Sequence, residues 1–460
     1  MGSRGIGHGG ACAEHDAPPV ALTQGPLPAG AVAAHPESGF CAAARSAPPL
    51  RAAFLSITNA AAIAEAYGAV AASSLSAQLL HGLREWLGHP LRAERVADDC
   101  LVLWVDGDAT ALERLLARAG RESFPVDGQA CLPALHADWL DIEGDQARML
   151  TPEESAYAHF VATPSPSAAG GWQAAADRFR ADMSAASELA GALGASRVAL
   201  DWQEVANAQS PGDSLCLRGT PCLVPIAEGM QALSSDIFVP ALERLNLTRH
   251  LDRTMVLLTL ARLDRMTRLH LSCRISPLSA LDDAYWTSVF DALAQRPAMA
   301  RRFTLEIGGR AALPALESTR AFCQKLRERG VRIAVSRFGS GSDSIGLEGL
   351  QACRPDMLVL DELCILRARH SEAGRQELRD MVRTCGALVP HTVVAGVDGE
   401  QDLAHARAAG AQWVCGRGVP RSPVRREAAA VGRPIVRRVA PLAVAAAAPE
   451  VARPHIDFWH

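Results

Sequence analysis

The sequence predicts an α/β chain in which a small α/β domain is followed by a (β/α)8 barrel. Three observations carry that expectation. In the second half, short apolar β-like runs alternate with helix-like stretches, the pattern of a sheet built with crossover helices. Eight such runs occupy roughly 250 residues, the scale of a (β/α)8 barrel. A Pro/Ser/Gly break, PSPSAAGG at Pro164–Gly171, sets this half apart from a shorter first one. With 460 residues, the chain has room for two domains and tails.

The elements follow in order. Arg197–Trp202 (RVALDW) and Ser214–Arg218 (SLCLR) read as the first two strands of the barrel. Asp252 suits the N-cap of a helix through MVLLTLARL, because a short carboxylate satisfies orphan N–H groups of a first turn. Leu269–Ile275 and Phe303–Ile307 are the next strands, and a helix across Leu316, Phe322 and Leu326 ends at Gly330 as a left-handed cap. Strands follow at Arg332–Val335 and Met357–Leu360. A helix with Leu378, Met381, Val382 and Cys385 on one face closes at Gly386. The strand His391–Ala395, a short helix ending at Gly410 and the strand Gln412–Cys415 complete the set. Residues 1–48 are rich in Gly, Pro and Ala without any period, and Pro434, Pro441, Pro449 and Pro454 mark a similar stretch at 425–460. Both ends are expected to be flexible tails. The expected bounds are 49–163 for the first domain, 164–171 for the linker and 172–424 for the barrel.

Composition excludes several classes. A formal net charge of -4 offers no global attraction to nucleic acid or an anionic membrane. The 12 cysteines are scattered with no CxxC, unlike a disulfide scaffold or a zinc site. No run approaches the roughly 18 apolar residues of a membrane span, and no signal peptide is visible. A soluble cytoplasmic protein without a cofactor is the expectation. The abundance of Arg and Ala, with Lys325 the single lysine, reads as compositional bias.

Six segments, taken in order, resemble the EAL phosphodiesterase family. IFVPALERLNLTRHLD at Ile237–Asp252 is similar to the family's FIPLAEExGLIxxLD, and CRISP at Cys273–Pro277 to VNLSP. LEI at Leu305–Ile307 stands where the family has LEITE. GVRIAVSRFGSG at Gly330–Gly341 resembles GVRIALDDFGTG, and RPDMLVLD at Arg354–Asp361 resembles VDxLKID. VVAGVDGEQDL with GAQWVCGRG is similar to AEGVETxxQL with GxDxxQGY. In the first half, AFLSITNAAAIAEAYGA at Ala53–Ala69 and RVADDCLVL at Arg95–Leu103 have the rhythm of the GGDEF family's LLDIDHFKxINDxYGH and RLGGDEFAVL. The resemblance implies a GGDEF-like (cyclase-palm) domain ahead of an EAL-type TIM-like barrel in cyclic di-GMP signalling.

The departures carry the functional expectation. The family holds a divalent metal with carboxylates and an Asn at the C-terminal mouth of the barrel, because hard cations need oxygen ligands to activate water and clamp phosphate. By the resemblance, the Glu of EAL falls on Ser214, the Asn on Arg274, and the two aspartates of DDFG on Ser336 and Arg337. The Lys of LKID falls on Val359, the Glu of EGVE on Ala395 and the late Gln on Cys415. Glu306 is the one metal-binding carboxylate left, and the loop-stabilising Glu beyond it is Gly309. One carboxylate cannot hold a divalent ion beside two arginines, since unit charges about 4 Å apart interact by about 4 kcal/mol at an effective dielectric of 20. Lys325 lies on the wrong helix to replace the missing lysine. In the GGDEF-like half the metal-binding Asp falls on Ser56, and the guanine-binding Asn and Asp fall on Ala64 and Ser73. The signature reads Ala97-Asp98-Asp99-Cys100-Leu101, without the glycines that let backbone approach a triphosphate. The RxxD motif falls on Gly88-His89-Pro90-Leu91 and is absent.

The resemblance therefore implies a degenerate remnant of a cyclase–phosphodiesterase tandem. Two readings of three arginines stay open. Arg218, which matches the phosphate-contacting Arg of EALxR, could grip a phosphodiester together with Arg274 and Arg337. Alternatively, Glu306 pairs with Arg274 or Arg337 in a structural ion pair and nothing binds. Asp98-Asp99 reads as a turn between strands, Cys100 and Cys415 as buried thiols, and Trp202 and Trp413 as core. The expected partner is an unidentified regulatory protein. Cyclic di-GMP and a second copy of the chain are the other candidates, and an active phosphodiesterase is the remaining alternative.

Overall fold

The computed structural model describes residues 50–87, 92–97, 99–106, 109–142, 172–195, 197–210, 212–224, 233–339 and 345–419, all within one unit, Pro48–His460. The expected tails, the linker at 164–171, Asp98 and the Gly88–Leu91 stretch lie outside the described residues.

The first sheet has the order β2-β3-β1-β6 and is antiparallel throughout its pairs. Its chain path is β1 (Leu50–Ile57), α1 (Ala60–Tyr67), α2 (Ala69–Leu87), β2 (Arg92–Ala97), β3 (Cys100–Asp106), α3 (Ala109–Ala119) and, after the small hairpin β4 (Phe124–Val126) and β5 (Gln129–Cys131), β6 (Leu135–Ile142). Leu55 and Ile57 of β1, Leu101 and Leu103 of β3 and Ile63, Leu75, Leu79 and Leu83 of the helices are buried in one core.

The barrel starts after α4 (Trp172–Gly194). Its elements are β7 (Val198–Asn207), β8 (Ser214–Leu223), β9 (Leu233–Ser234), α5 (Ser235–Arg244), α6 (Thr248–Arg265), β10 (Leu271–Ile275), α7 (Thr287–Gln295), α8 (Pro297–Ala300), β11 (Phe303–Ile307), α9 (Leu316–Glu328), β12 (Arg332–Phe338), α10 (Leu347–Cys353), β13 (Met357–Leu360), α11 (Glu362–His370), α12 (Glu372–Leu388), β14 (His391–Val394), α13 (Glu400–Ala408) and β15 (Trp413–Cys415). Strands β10 to β15 run side by side in sequence order, β15 pairs with β7, β7 with β8, and β8 with β10, so eight strands close a barrel. All eight sequence-predicted strands are present. One feature differs from a uniform βα repeat: β7 is antiparallel to both neighbours. A short turn joins it to β8 as a hairpin, and a hairpin reverses direction where a helical crossover would not.

Strands of the closed barrel are buried on both faces, β11 along its whole length, as parallel strands covered by helices must be. Outward residues such as Phe303, Leu305 and Ile307 join the helices in the main core. Inward Val205, Cys216, Ala334, Met357, Val359, Val393, Ala395 and Cys415 form a second, interior core. Trp202 and Trp413 are partly buried against these cores.

Helix limits agree with local chemistry in most places. α9 buries Thr319, Phe322, Cys323 and Leu326, and Gly330 follows at φ 89°, where a Cβ would be strained. α12 runs through Gly386 to Leu388, beyond the expected stop, and ends where Pro390 forbids a further turn. Asp252 is not an N-cap: α6 begins one turn earlier, at Thr248, and places Asp252 inside the helix. No described helix is long and apolar enough to cross a membrane.

Buried polar contacts tie the first sheet and its helices to the barrel. Glu113 of α3 accepts hydrogen bonds from Arg253 of α6 (Nε, 2.8 Å) and from the Ser288 amide (2.8 Å). Asp283 pairs with Arg249 of α6 and lies 3.1 Å from His136 Nδ1 of β6. The Arg249 and Arg253 guanidiniums lie 4.8 and 5.7 Å from the centre of the Tyr285 ring, close enough for cation–π attraction. Removing one partner of a buried ion pair strands the other. Glu113→Ala is expected to cost about 2–4 kcal/mol and to split thermal unfolding into two steps, read by calorimetry. A single unshifted transition would show that these contacts do not couple the two parts.

Candidate functional site

The mouth of the barrel is set by strand register. β10 and β11 pair with Arg274 beside Glu306, and β11 and β12 pair with Glu306 beside Ala334, so Ser336 is the next inward residue along β12. β8 joins β10 with Arg218 beside Ser272 and Gly219 beside Cys273. Side chains two apart on a strand share a face, so Arg218 points inward one layer below Glu306.

Arg218 and Glu306 form a bidentate pair. Arg218 Nε donates to Oε2 at 2.6 Å and Nη2 to Oε1 at 2.5 Å, with the residues 6% and 0% exposed respectively. Burial alone would raise the Glu306 pKa, but the Arg218 guanidinium, and beyond it Arg274, hold the carboxyl below its usual range. Burial opposes the charge on Arg218 too, and Glu306 outweighs it and raises the guanidinium pKa. Two parallel N–H···O bonds engage both carboxylate oxygens, the strongest arrangement available to this pair.

This overturns the expected pairing of Glu306 with Arg274 or Arg337. Arg274 Nη2 donates to Ser235 Oγ at 3.2 Å, and burial, then the neighbouring Arg218, lowers its pKa. Arg337 is the extra residue of a β-bulge between Ser336 and Phe338, at φ 61°, a region a non-glycine residue rarely occupies. Its Nη2 lies 3.4 Å from Asp361 Oδ2, and the Asp361 carboxylate also accepts from the Leu363 amide to cap α11. The three arginines therefore do not converge on one point: one is spent on Glu306 and another faces Asp361.

Register also corrects the position of Ser214. It opens β8 and pairs with Ala206, at the end of the barrel where β11 to β14 begin, away from Glu306. The β8 residue level with Arg274 and Glu306 is the one after Gly219, Thr220. Thr220 is thus the site residue that sequence reading missed, because a one-strand motif carries no pairing register. In an EALxR pattern the Arg stands four residues after the Glu, which then falls on Val224. Arg218 consequently belongs to a different layer from the phosphate Arg it was matched with.

The remaining expected positions lie in the interior core. Val359, Ala395 and Cys415 pack together with Ala334 and Cys216, where burial pushes the Cys415 thiol up to about 11. Lys325 is on α9 and pairs with Asp282 at 2.8 Å. Gly309 has no room for a side chain: a Cβ there would lie 1.9 Å from Glu243 Oε1. Glu243 of α5 accepts from Ser276 Oγ at 2.9 Å and from the Arg310 amide at 3.1 Å, so it supports the loop from the other side. Asp252 accepts from the Ser276 amide (3.0 Å) and Ser279 Oγ (2.6 Å), and burial pushes its pKa up to about 7.

The divalent ion implied by the fold does not fit this donor set. Mg²⁺ demands six oxygens in near-octahedral order. Here the one carboxylate is occupied by a guanidinium, its neighbours are Arg274 and the Ser336 hydroxyl, and the cations repel an added charge. Among the described residues no three His, Cys, Asp or Glu side chains gather as a metal site.

In the first sheet, Ser56 is buried on β1 opposite Cys100, beside the turn between β2 and β3, where the Ile57 amide donates to the Asp99 carbonyl at 2.7 Å. Ala64 lies on α1 and Ser73 on α2, with the Ser73 hydroxyl accepting from Arg95 Nη1 at 2.9 Å. None of the three offers a charge.

The sequence model of the EAL domain matches residues 171–421. Among solved structures, the chain is similar to an EAL domain protein from Listeria monocytogenes EGD-e (18% identity, 52% of this chain and 94% of that one, TM-score 0.44). It is also similar to the S helix-GGDEF-EAL part of Vibrio cholerae LapD bound to c-di-GMP (14%, 81% and 89%, 0.44). A third is the FimX EAL domain of Xanthomonas citri in complex with c-diGMP (22%, 53% and 94%, 0.42). No curated protein matches.

Two outcomes follow from the site's electrostatics. Arg218→Met leaves Glu306 charged and buried, and is expected to cost about 3–5 kcal/mol in urea unfolding, most of it recovered by Arg218→Met with Glu306→Leu. Equal stability of the single variant and the wild type would sink the pairing. For Asp252, the folded pKa of about 7 lies above the ordinary 3.8, so the folded state binds the extra proton between them. Stability from this group therefore falls as pH rises through that window. The thermal midpoint should drop more between pH 5 and 8 in the wild type than in Asp252→Asn; parallel curves would refute the shift.

Proposed function

We propose that this chain, which belongs to the EAL domain family, is a regulatory member that acts through protein–protein contacts and does not hydrolyse cyclic di-GMP. One observation carries the reading: the guanidinium of Arg218 occupies both oxygens of Glu306. Hydrolysis on a barrel of this kind relies on a cation that activates water and clamps the phosphate. A permanently bonded guanidinium can neutralise the carboxylate, but it has no open coordination site and no bound water to ionise. Val359, Ala395 and Cys415 add an apolar interior where proton transfer would need titratable groups.

The same reading takes the first sheet as a degenerate GGDEF-like domain. Its support is the placement of Ser56 beside the β2–β3 turn, with uncharged Ala64 and Ser73 on the two following helices. Neutral side chains there supply neither metal ligands nor a carboxylate for a guanine base.

A second reading, a receptor that binds cyclic di-GMP without cutting it, has Arg274 and the partly exposed Arg337 (27%) in its favour. Against it stand the full engagement of Arg218 and the apolar Val224 four residues beyond Thr220. The interaction reading is therefore preferred.

Incubation with cyclic di-GMP and Mn²⁺ or Mg²⁺ is expected to yield no linear dinucleotide by chromatography; metal-dependent product would sink the proposal. Calorimetric titration of cyclic di-GMP decides between the two readings. No heat at micromolar protein is expected, whereas saturable heat abolished by Arg337→Ala would establish the receptor.

A further inference from the structure

The end of the barrel opposite Glu306 carries a row of cations. Leu271 pairs with Phe303, Thr304 with Arg332 and Ala334 with Met357, so the residues that lead into β10, β11, β12 and β13 stand side by side. They include Arg268, Arg301 and Arg354, with Arg332 as the first residue of β12 and Arg265 at the end of α6. Adjacent strands are about 4.8 Å apart, which makes the row about 15 Å long. Two contacts place its members beside neighbouring strand starts. Arg301 Cγ lies against Gly330, two residues before β12, where an added Cβ would meet it at 3.1 Å, and Arg332 Nη2 lies 2.9 Å from Nδ1 of His270, the residue before β10.

Little acid balances this charge. Asp356 Oδ2 accepts from the Ile333 amide at 2.8 Å, and Asp264 faces Arg296 at 3.5 Å. Arg302, in the loop before β11, and Arg327, in the last turn of α9, donate to backbone carbonyls rather than to carboxylates. Arg265, Arg268, Arg301 and Arg354 are exposed and have no acidic partner among the described residues. The two nearby histidines sense the field: burial first, and then Arg332, lowers the pKa of both His270 and His391.

From this row we infer that the N-terminal end of the barrel is a docking surface for an acidic, Asp/Glu-rich segment of a partner protein. Guanidinium forks suit carboxylates, and four exposed forks stand in the segments that precede the strands. Nucleic acid fits less well. None of the exposed large hydrophobic residues among those described is aromatic, so no stacking platform for bases accompanies the row. The surface goes beyond the functional reading above, and the two can fail separately, since nothing in the test involves Glu306 or cyclic di-GMP.

The test is fluorescence anisotropy of labelled octaglutamate with the full chain at low ionic strength. Saturable binding is expected, weakened about tenfold or more by Arg268→Glu with Arg301→Glu, and to a lesser degree by the corresponding Gln pair, which guards against charge-induced misfolding. Arg379→Glu with Arg383→Glu on α12 changes net charge equally and is expected to shift affinity by less than about twofold. Absence of binding, or equal loss in both Glu pairs, overturns the proposal. Tighter binding of oligothymidine through the same arginines also overturns it, in favour of a nucleic acid.

Discussion

The ion pair between Arg218 and Glu306 is the constraint around which the barrel interior is arranged. A carboxylate with no exposed surface requires a counter-charge, because isolated burial of a charge is far costlier than any single contact can offset. In a barrel of this family the resemblance assigns that role to a divalent cation. Here a side chain from the adjacent layer of β8 supplies it. With the guanidinium in place the neighbours need not be ligands, and Val359, Ala395 and Cys415 lie together in an apolar interior.

Support for the loops at the mouth has shifted in the same direction. Glu243 reaches from α5 into the space that a side chain at position 309 would fill, and bonds both Ser276 and the Arg310 amide. The bulge at Arg337 turns that residue toward Asp361. These contacts hold the mouth in shape through protein groups. Contacts from Glu113 and His136 tie the first sheet to the barrel through buried polar bonds that are costly to break.

Much of the fold was legible in the residues. The eight strands appear where apolar runs and turn residues predict them, and Gly330 caps α9 by the chemistry that only glycine allows. Misreadings arose where local preference met a tertiary demand. Asp252 has the chemistry of a cap, but its carboxylate is taken by Ser276 and Ser279 on a loop 24 to 27 residues away. Gly386 has the chemistry of a stop, yet Pro390 ends the helix.

Sequence by itself determined the number of strands and the family to which their order points, since these depend on residue identity and spacing along the chain. Only the tertiary structure decided which arginine neutralises Glu306, that Thr220 rather than Ser214 is level with it on β8, and that cations at the starts of four strands stand at one end of the barrel. Those facts depend on the register between strands, and hydrogen bonds between strands distant in sequence, not the residues of any one strand, set that register.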